Sequence, residues 1–275
     1  MGESRSLVTE NPWRMLRQFT DARIGLGRAG VSLPTSELLK FQLAHAQARD
    51  AVHLPLDVKR LVDDLEKSPV ELPARSPVLL KSQAQDRVTY LQRPDLGRAL
   101  SQESLQSLAG HKGGDKGQPV VAIVIVDGLS SFAIQNSAEP MVSQFFADLD
   151  CESAGWQIAP LTIVEQGRVA IGDEIGQCLG ASVVVVLIGE RPGLSSPDSL
   201  GIYVTWAPET GLRDARRNCI SNVRPDGLSF EHASQRLVYL LHQARRLGTS
   251  GVSLKDRTEE VAIETTANKR NFLTD

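Results

Sequence analysis

The chain is short of several things. It has three cysteines in 275 residues, Cys151, Cys178 and Cys219, widely spaced and with no CxxC pair. That spacing argues against a thiolate metal framework, and disulfides are not expected in a reducing compartment. No His/Cys cluster has metal-ligand spacing either, so no metal ligand is assigned. Net charge is also scarce: 30 Lys and Arg stand against 33 Asp and Glu, a formal −3. Composition therefore gives no drive toward nucleic acid or an anionic membrane. No apolar run approaches the roughly 20 residues that a spanning helix needs. The opening residues, MGESRSLVTENPW, hold no apolar signal core, so a cytoplasmic protein is expected. Three fingerprints are missing as well. There is no G-x-G-x-x-G after a strand, no Walker A loop, and only half of a G-x-S-x-G elbow at Asp127-Gly-Leu-Ser-Ser-Phe132. A dinucleotide in its usual pose and a hydrolase nucleophile elbow both lose support.

What is present is ordinary for a globular chain: 41% hydrophobic and 23% charged residues, with enough length for one large domain or two smaller ones. Asn11-Pro12 opens a first helix, with Trp13, Leu16, Phe19 and Arg23 at helical spacing and Gly25, Gly27 and Gly30 ending it. Leu33-Pro-Thr-Ser-Glu37 starts a second helix with a hydroxyl cap, running to about Val52 with Leu39, Leu43 and Ala46 on one stripe. A shorter helix follows over 57–67. Pro69, Pro73 and Pro77 punctuate the next stretch, where a strand near 88–91 and a helix near 94–108 are predicted, before a loop at HKGGDKGQP (111–119).

From Val120 the texture changes. VVAIVIV (120–126), Ile158–Val164, Val183–Ile188 and Ile202–Trp206 read as strands, with helices predicted after Ser131, over 173–179 and over 230–247. Uniformly apolar strands alternating with helices point to a parallel sheet covered on both faces, a doubly wound α/β arrangement. The chain thus divides into a helical N-terminal region (1–80), an α/β domain (81–254) and a polar, loosely packed tail (255–275).

Two strands break off in glycine and charge. The first ends at Asp127-Gly128, the third at Gly189-Glu-Arg-Pro-Gly-Leu-Ser-Ser-Pro-Asp198. Ligands of open parallel sheets bind beyond the carboxyl ends of the strands. Glycine allows close approach there, and Glu190 can accept from amide donors. Glu190 and Arg191 also read as plain turn charges with local partners, and at this point both readings stand.

Six motifs in order carry a more specific signal. They are Phe19-Thr-Asp-Ala-Arg-Ile24 with Gly27-Arg-Ala-Gly30, Leu91-Gln-Arg-Pro-Asp-Leu-Gly-Arg98, Asp127-Gly-Leu-Ser130, Gln166-Gly-Arg-Val-Ala-Ile171 with Asp173-Glu-Ile-Gly176, Gly189-Glu-Arg-Pro-Gly-Leu194, and Asn218-Cys-Ile-Ser-Asn222. From about Asn11 to Leu254 the chain resembles the small (light) subunits of ethanolamine ammonia-lyase, an adenosylcobalamin-dependent lyase. The resemblance implies a Rossmann-like domain that helps enclose the cobalamin against a large catalytic subunit, in a multimer of heterodimers. It implies conversion of ethanolamine, and related vicinal amino alcohols, to acetaldehyde (an oxo compound) and ammonia by a radical route. The family's cobalamin contacts fall on Val169, Glu190 and Cys219. No catalytic residue is implied in this chain, which alone is expected to be inactive.

Those residue types suit a broad, flat corrin fringed with amide arms. Val169 offers apolar contact, Glu190 an acceptor, and Cys219 a small, soft packing surface rather than a nucleophile. The Asp-x-His-x-x-Gly motif that replaces the cofactor's own base is absent, so the bound cofactor is expected to keep its benzimidazole. Arg213, Arg216 and Arg217 read as a solvated cluster, or as partners for acids on another subunit or for the cofactor phosphate. Enteric members carry an extended N-terminal segment tied to packaging in a bacterial microcompartment; ten residues precede Asn11 here, which puts that packaging in doubt. Two competing readings are a stand-alone α/β small-molecule enzyme and a non-catalytic scaffold that binds a partner without a corrin.

Overall fold

The structure, a computed structural model, describes residues 7–68, 76–111, 118–149, 155–256 and 258. Cys151, Pro69, Pro73, most of the 111–119 loop and nearly all of the tail call lie outside the described residues. A seven-stranded sheet forms the centre: β1 (Val78–Lys81), β2 (Val120–Val126), β3 (Gln157–Ile158), β4 (Thr162–Glu165), β5 (Val183–Gly189), β6 (Leu200–Trp206) and β7 (Arg217–Val223). The order is β1-β4-β2-β5-β6-β7, with β3 beside β2.

Both faces are covered, which is why β2 and β5 can be apolar at every position and buried throughout. Alternate residues of β2 point opposite ways. Val121, Ile123 and Ile125 pack with α5 (Ser131–Asp148) and the C-terminal helix Phe230–Leu247. Val120, Ala122, Val124 and Val126 join a second core with α4 (Gln102–Ala109) and α6 (Ile171–Leu179). The C-terminal helix, α7, is read correctly from its periodicity. Ser229 caps it by accepting from His232 N–H, and Gly248 ends it in the left-handed conformation at φ 63°.

Several expectations are corrected. The sheet is mostly parallel but mixed: β5–β6 and β6–β7 pair antiparallel. A short loop, 190–199, joins β5 to β6 and returns the chain alongside β5, where a parallel pairing would need a long crossover. The 158–164 strand is two pieces, because Pro160 has no N–H to give the ladder. The 88–91 stretch is a helix, α3 (Arg87–Gln92), since Asp86 caps it by accepting from Thr89 N–H at 2.8 Å and buried Tyr90 anchors it. The 94–108 helix is interrupted. Leu100 is held out of helical geometry by a bridge to Ser82 and by donating its N–H to Glu174 at 2.7 Å, and α4 starts afresh at the Ser101 cap.

The N-terminal region departs further. The first helix is a 3-10 helix, Pro12–Gln18, with none of its residues buried. The second, α1 (Thr35–His53), has Pro34 at its N-cap and no side-chain cap. Its packed face is Ala44, Ala48 and Ala51, while Leu39 and Leu43 are 59% and 60% exposed. The third, α2 (Val58–Glu66), is capped by Asp57 as its composition suggests. No helix among the described residues is long and apolar enough to cross a membrane.

Candidate functional site

The carboxyl ends of β2, β4 and β5 meet at one edge. Gly128 and Gly189 make this meeting possible: a Cβ on Gly128 would stand 2.3 Å from the Gly189 carbonyl, and one on Gly189 would stand 2.0 Å from the Ser130 carbonyl. Any side chain at either position would drive the two strand ends apart. The glycines that interrupt the apolar runs therefore serve close packing of the rim.

Asp127, fully buried at the end of β2, accepts from the backbone N–H groups of Gln166 and Gly167 at 2.9 and 3.1 Å. Burial pushes its carboxyl up to about 6, against the pull of Arg87 and those backbone donors. Arg87 reaches in from α3, donating to the carbonyls of Val52 at 2.7 Å and Gly128 at 2.8 Å. Its guanidinium lies 4.9 Å from the Tyr90 ring centre, and Arg168 lies over the same ring at 4.3 Å. The Tyr90 hydroxyl donates to the Gly167 carbonyl at 3.0 Å, and burial pushes the phenol up, so it stays a donor. This cluster fixes the Gln166–Ala170 turn, and with it Val169.

Two adjoining cavities open at this edge. One, of about 400 Å³, is lined by Leu129, Val169, Ile188, Glu190 and Tyr203. The other, of about 450 Å³, is lined by Arg98, Arg168, Val169, Tyr203 and Cys219. Val169, Glu190 and Cys219, on three separate segments, thus lie around one bipartite hollow. Glu190 is held in place by its own chain: Oε2 accepts from the Ser199 hydroxyl and from Asn222 N–H at 3.2 Å, and the Glu190 N–H donates to Ser199 O at 2.9 Å. The turn-charge reading is therefore partly right, because Glu190 has local partners, yet its carboxylate still lines the smaller cavity.

Cys219 stands opposite Tyr203 in the β6–β7 ladder. The residue is exposed as a whole and lines the larger cavity. Poor solvation there pushes the thiol up, opposed by the Tyr203 hydroxyl and reinforced by Glu190. The net shift disfavours the thiolate that a nucleophile needs.

Four residues of this hollow were not singled out as site residues from the sequence: Tyr90, Arg98, Arg168 and Tyr203. Arg168 stands inside the Gln166–Ile171 motif and Arg98 ends the Leu91–Arg98 motif, and those adjacencies are the available signal. Arg217 is corrected. It is no solvated charge but a buried guanidinium gripping Asp173 in a bidentate pair at 2.5 and 2.7 Å. Burial works against its charge, and Asp173 together with Asp214 more than offsets that. Among the described residues no group of three or more His, Cys, Asp and Glu could hold a metal ion.

Comparison with known proteins adds a separate line. The family model described as ethanolamine ammonia-lyase light chain matches residues 10–255. A Ralstonia nicotianae protein named ethanolamine ammonia-lyase small subunit is 52% identical over 99% of this chain and 98% of its own length. Proteins of the same name from Azotobacter vinelandii and Pseudomonas aeruginosa are each 54% identical, over 94% and 96% of this chain and 94% of their own lengths.

Proposed function

Since this chain belongs to the ethanolamine ammonia-lyase light-chain family, the small subunits of a carbon–nitrogen lyase, we propose that its strand-end rim is one wall of an adenosylcobalamin cradle closed by a large catalytic subunit. The carrying observation is the convergence of Val169, Glu190 and Cys219 on two adjoining cavities at a single sheet edge. On this reading the 81–254 domain is Rossmann-like, with β6 and β7 as an antiparallel addition.

The residues fit a corrin. Val169, Leu129 and Ile188 present apolar atoms to a flat macrocycle. Glu190 presents an acceptor to its amide arms: Oε2 already serves Ser199 and Asn222, so the carboxylate is preset before any ligand arrives. Cys219 and Tyr203, both held protonated by poor solvation, offer soft contact. When bound, the cofactor supplies a cobalt–carbon bond whose homolysis starts the radical conversion of ethanolamine to acetaldehyde and ammonia. This chain's share is to bind, orient and exclude water. It holds no catalytic residue, and alone it has no ammonia-lyase activity.

The large-subunit docking surface lies in the 1–80 region. Trp13, Met15, Phe19, Leu39 and Leu43 are 59–78% exposed there, more apolar side chain than a free monomer keeps in water without a reason. Arg23 ties this region to the rim by donating to the Leu194 carbonyl at 3.2 Å, so docking and cradle closure share one element.

The test is Glu190→Ala in the assembled complex. Loss of a preset acceptor is expected to raise the cobalamin dissociation constant by about 10- to 100-fold, or 1–3 kcal/mol. An unchanged constant removes Glu190 from the cradle.

A further inference from the structure

The larger cavity is rich in positive charge. Three guanidinium groups line it, from Arg98, Arg168 and Arg217, and the one acid in its lining is Asp214. Arg217 is spoken for: it is paired with buried Asp173 and, through Nε at 3.3 Å, with Asp214. Neither Arg98 nor Arg168 meets a carboxylate within 4 Å among the described residues. With Arg217 held by Asp173 and Asp214, the guanidinium groups of Arg98 and Arg168 stand in the lining without a paired carboxylate.

Arg168 is anchored without being neutralised. Its backbone N–H donates to the Gly97 carbonyl at 2.7 Å. Its guanidinium lies over the Tyr90 ring and reaches the Tyr90 carbonyl at 3.4 Å. Its Nε is buried and has no hydrogen-bond partner. A buried, unpartnered donor costs stability and calls for an explanation. The side chain is fixed by stacking beside the cavity that its residue lines, and an anion entering there would offset a guanidinium charge that no carboxylate meets. Arg98 stands in the same lining, and Pro94, Val169 and Ala170 make its apolar part. The hollow is thus suited to an anionic group with several oxygen acceptors and an apolar flank.

We infer that this cavity receives the phosphodiester of the corrinoid's nucleotide arm, with Arg168 as the main donor and Arg98 as the second. The inference rests on the cobalamin reading above and deepens it. A cobalamin carries one anionic group, the phosphodiester that joins a corrin side chain to the ribose of its lower base, and that anion is the kind of group that unneutralised guanidinium groups take. Guanidinium offers forked donors that suit two oxygens of one phosphate. Val169 and Tyr203 line both cavities, so corrin contact and phosphodiester contact would be neighbours on one ligand. A carboxylate of the large subunit could meet the same donors, and the experiment separates the two.

The experiment measures dissociation constants of the assembled two-subunit complex by absorbance titration with two probes. Hydroxocobalamin carries the nucleotide arm; dicyanocobinamide lacks it together with its phosphodiester. Arg168→Met keeps the stem and removes the charge. It is expected to weaken hydroxocobalamin by about 10- to 100-fold and to leave dicyanocobinamide within about twofold, while Arg168→Lys recovers part of the loss by restoring the charge. Arg98→Met, at an exposed position, is expected to change the same ratio in the same direction, and it serves if Arg168→Met fails to assemble. Equal weakening of both probes, or of neither, overturns the inference and leaves the cradle reading standing. Weaker subunit assembly with an unchanged ratio assigns the donors to a large-subunit carboxylate and overturns it too. Failure of the unsubstituted complex to bind either corrinoid overturns the cobalamin reading itself.

Discussion

Asp173→Asn is the substitution whose cost can be worked most directly from the structure. Asp173 and Arg217 have side chains 1% and 2% exposed and share two short hydrogen bonds. Removing the carboxylate charge leaves a buried guanidinium facing Thr205 Oγ1 at 3.3 Å, the Leu212 carbonyl at 3.2 Å and Asp214 at 3.3 Å. Asp214 is 80% exposed, so water screens it and it recovers little of the loss. Breaking a buried pair from one side costs about 3–5 kcal/mol, because the remaining charge stays desolvated. With a urea slope of about 3 kcal/mol/M for a chain of this size, the midpoint is expected to fall by about 1–1.7 M. Far-UV circular dichroism during urea unfolding at pH 7.5 measures it. Replacing both residues by an apolar pair of similar volume, Asp173→Leu with Arg217→Met, is expected to recover most of the loss, since the desolvated charge is then gone. A loss below about 1 kcal/mol for Asp173→Asn, or a double variant no more stable than the single one, would refute the reasoning.

Two further outcomes are expected. Burial raises Asp127 from 3.8 to about 6, so its contribution to stability is fully present below pH 3.8 and is lost as pH rises through 6. At 1.36 kcal/mol per pH unit that is about 3 kcal/mol; Asp127→Asn should flatten the unfolding free energy between pH 4 and 6.5, and an unchanged slope would assign the shift elsewhere. Leu39→Asp with Leu43→Asp, on an exposed helix face, should leave the melting temperature of the chain within about 2 °C and reduce its co-purification with the large subunit; undiminished assembly would remove α1 from the docking surface.

Much of the α/β centre was legible because burial on both faces writes itself as uninterrupted Val and Ile. β2, β5 and the C-terminal helix could be bounded within a residue or so for that reason. β1 and β7 were not legible. β1 is four residues with only Leu80 buried, and β7, RNCISNV, is an edge strand whose polar alternation resembles a loop. The sense of β6 was hidden too, since an apolar run does not say which way it points. Of the site, the motifs around Val169, Glu190 and Cys219 could be marked, and the glycines at the strand ends suggested a rim. What sequence could not give was the third dimension. Nothing in it placed Tyr90 between Arg87 and Arg168, or paired Arg217 with Asp173 across 44 positions. Nor did it show that the Leu39–Leu43 stripe of α1 faces away from the body while three alanines pack. In a solvent-facing stripe, apolar spacing reads the same whether the cover is this chain or another.

The central claim is that the strand-end rim closes on a corrin together with a second polypeptide. The most direct measurement is a structure of the two-subunit complex with bound cobalamin. Val169, Glu190 and Cys219 are expected within about 4 Å of the corrinoid, between the two subunits; the same rim facing bulk water, with the corrinoid elsewhere, would contradict that placement.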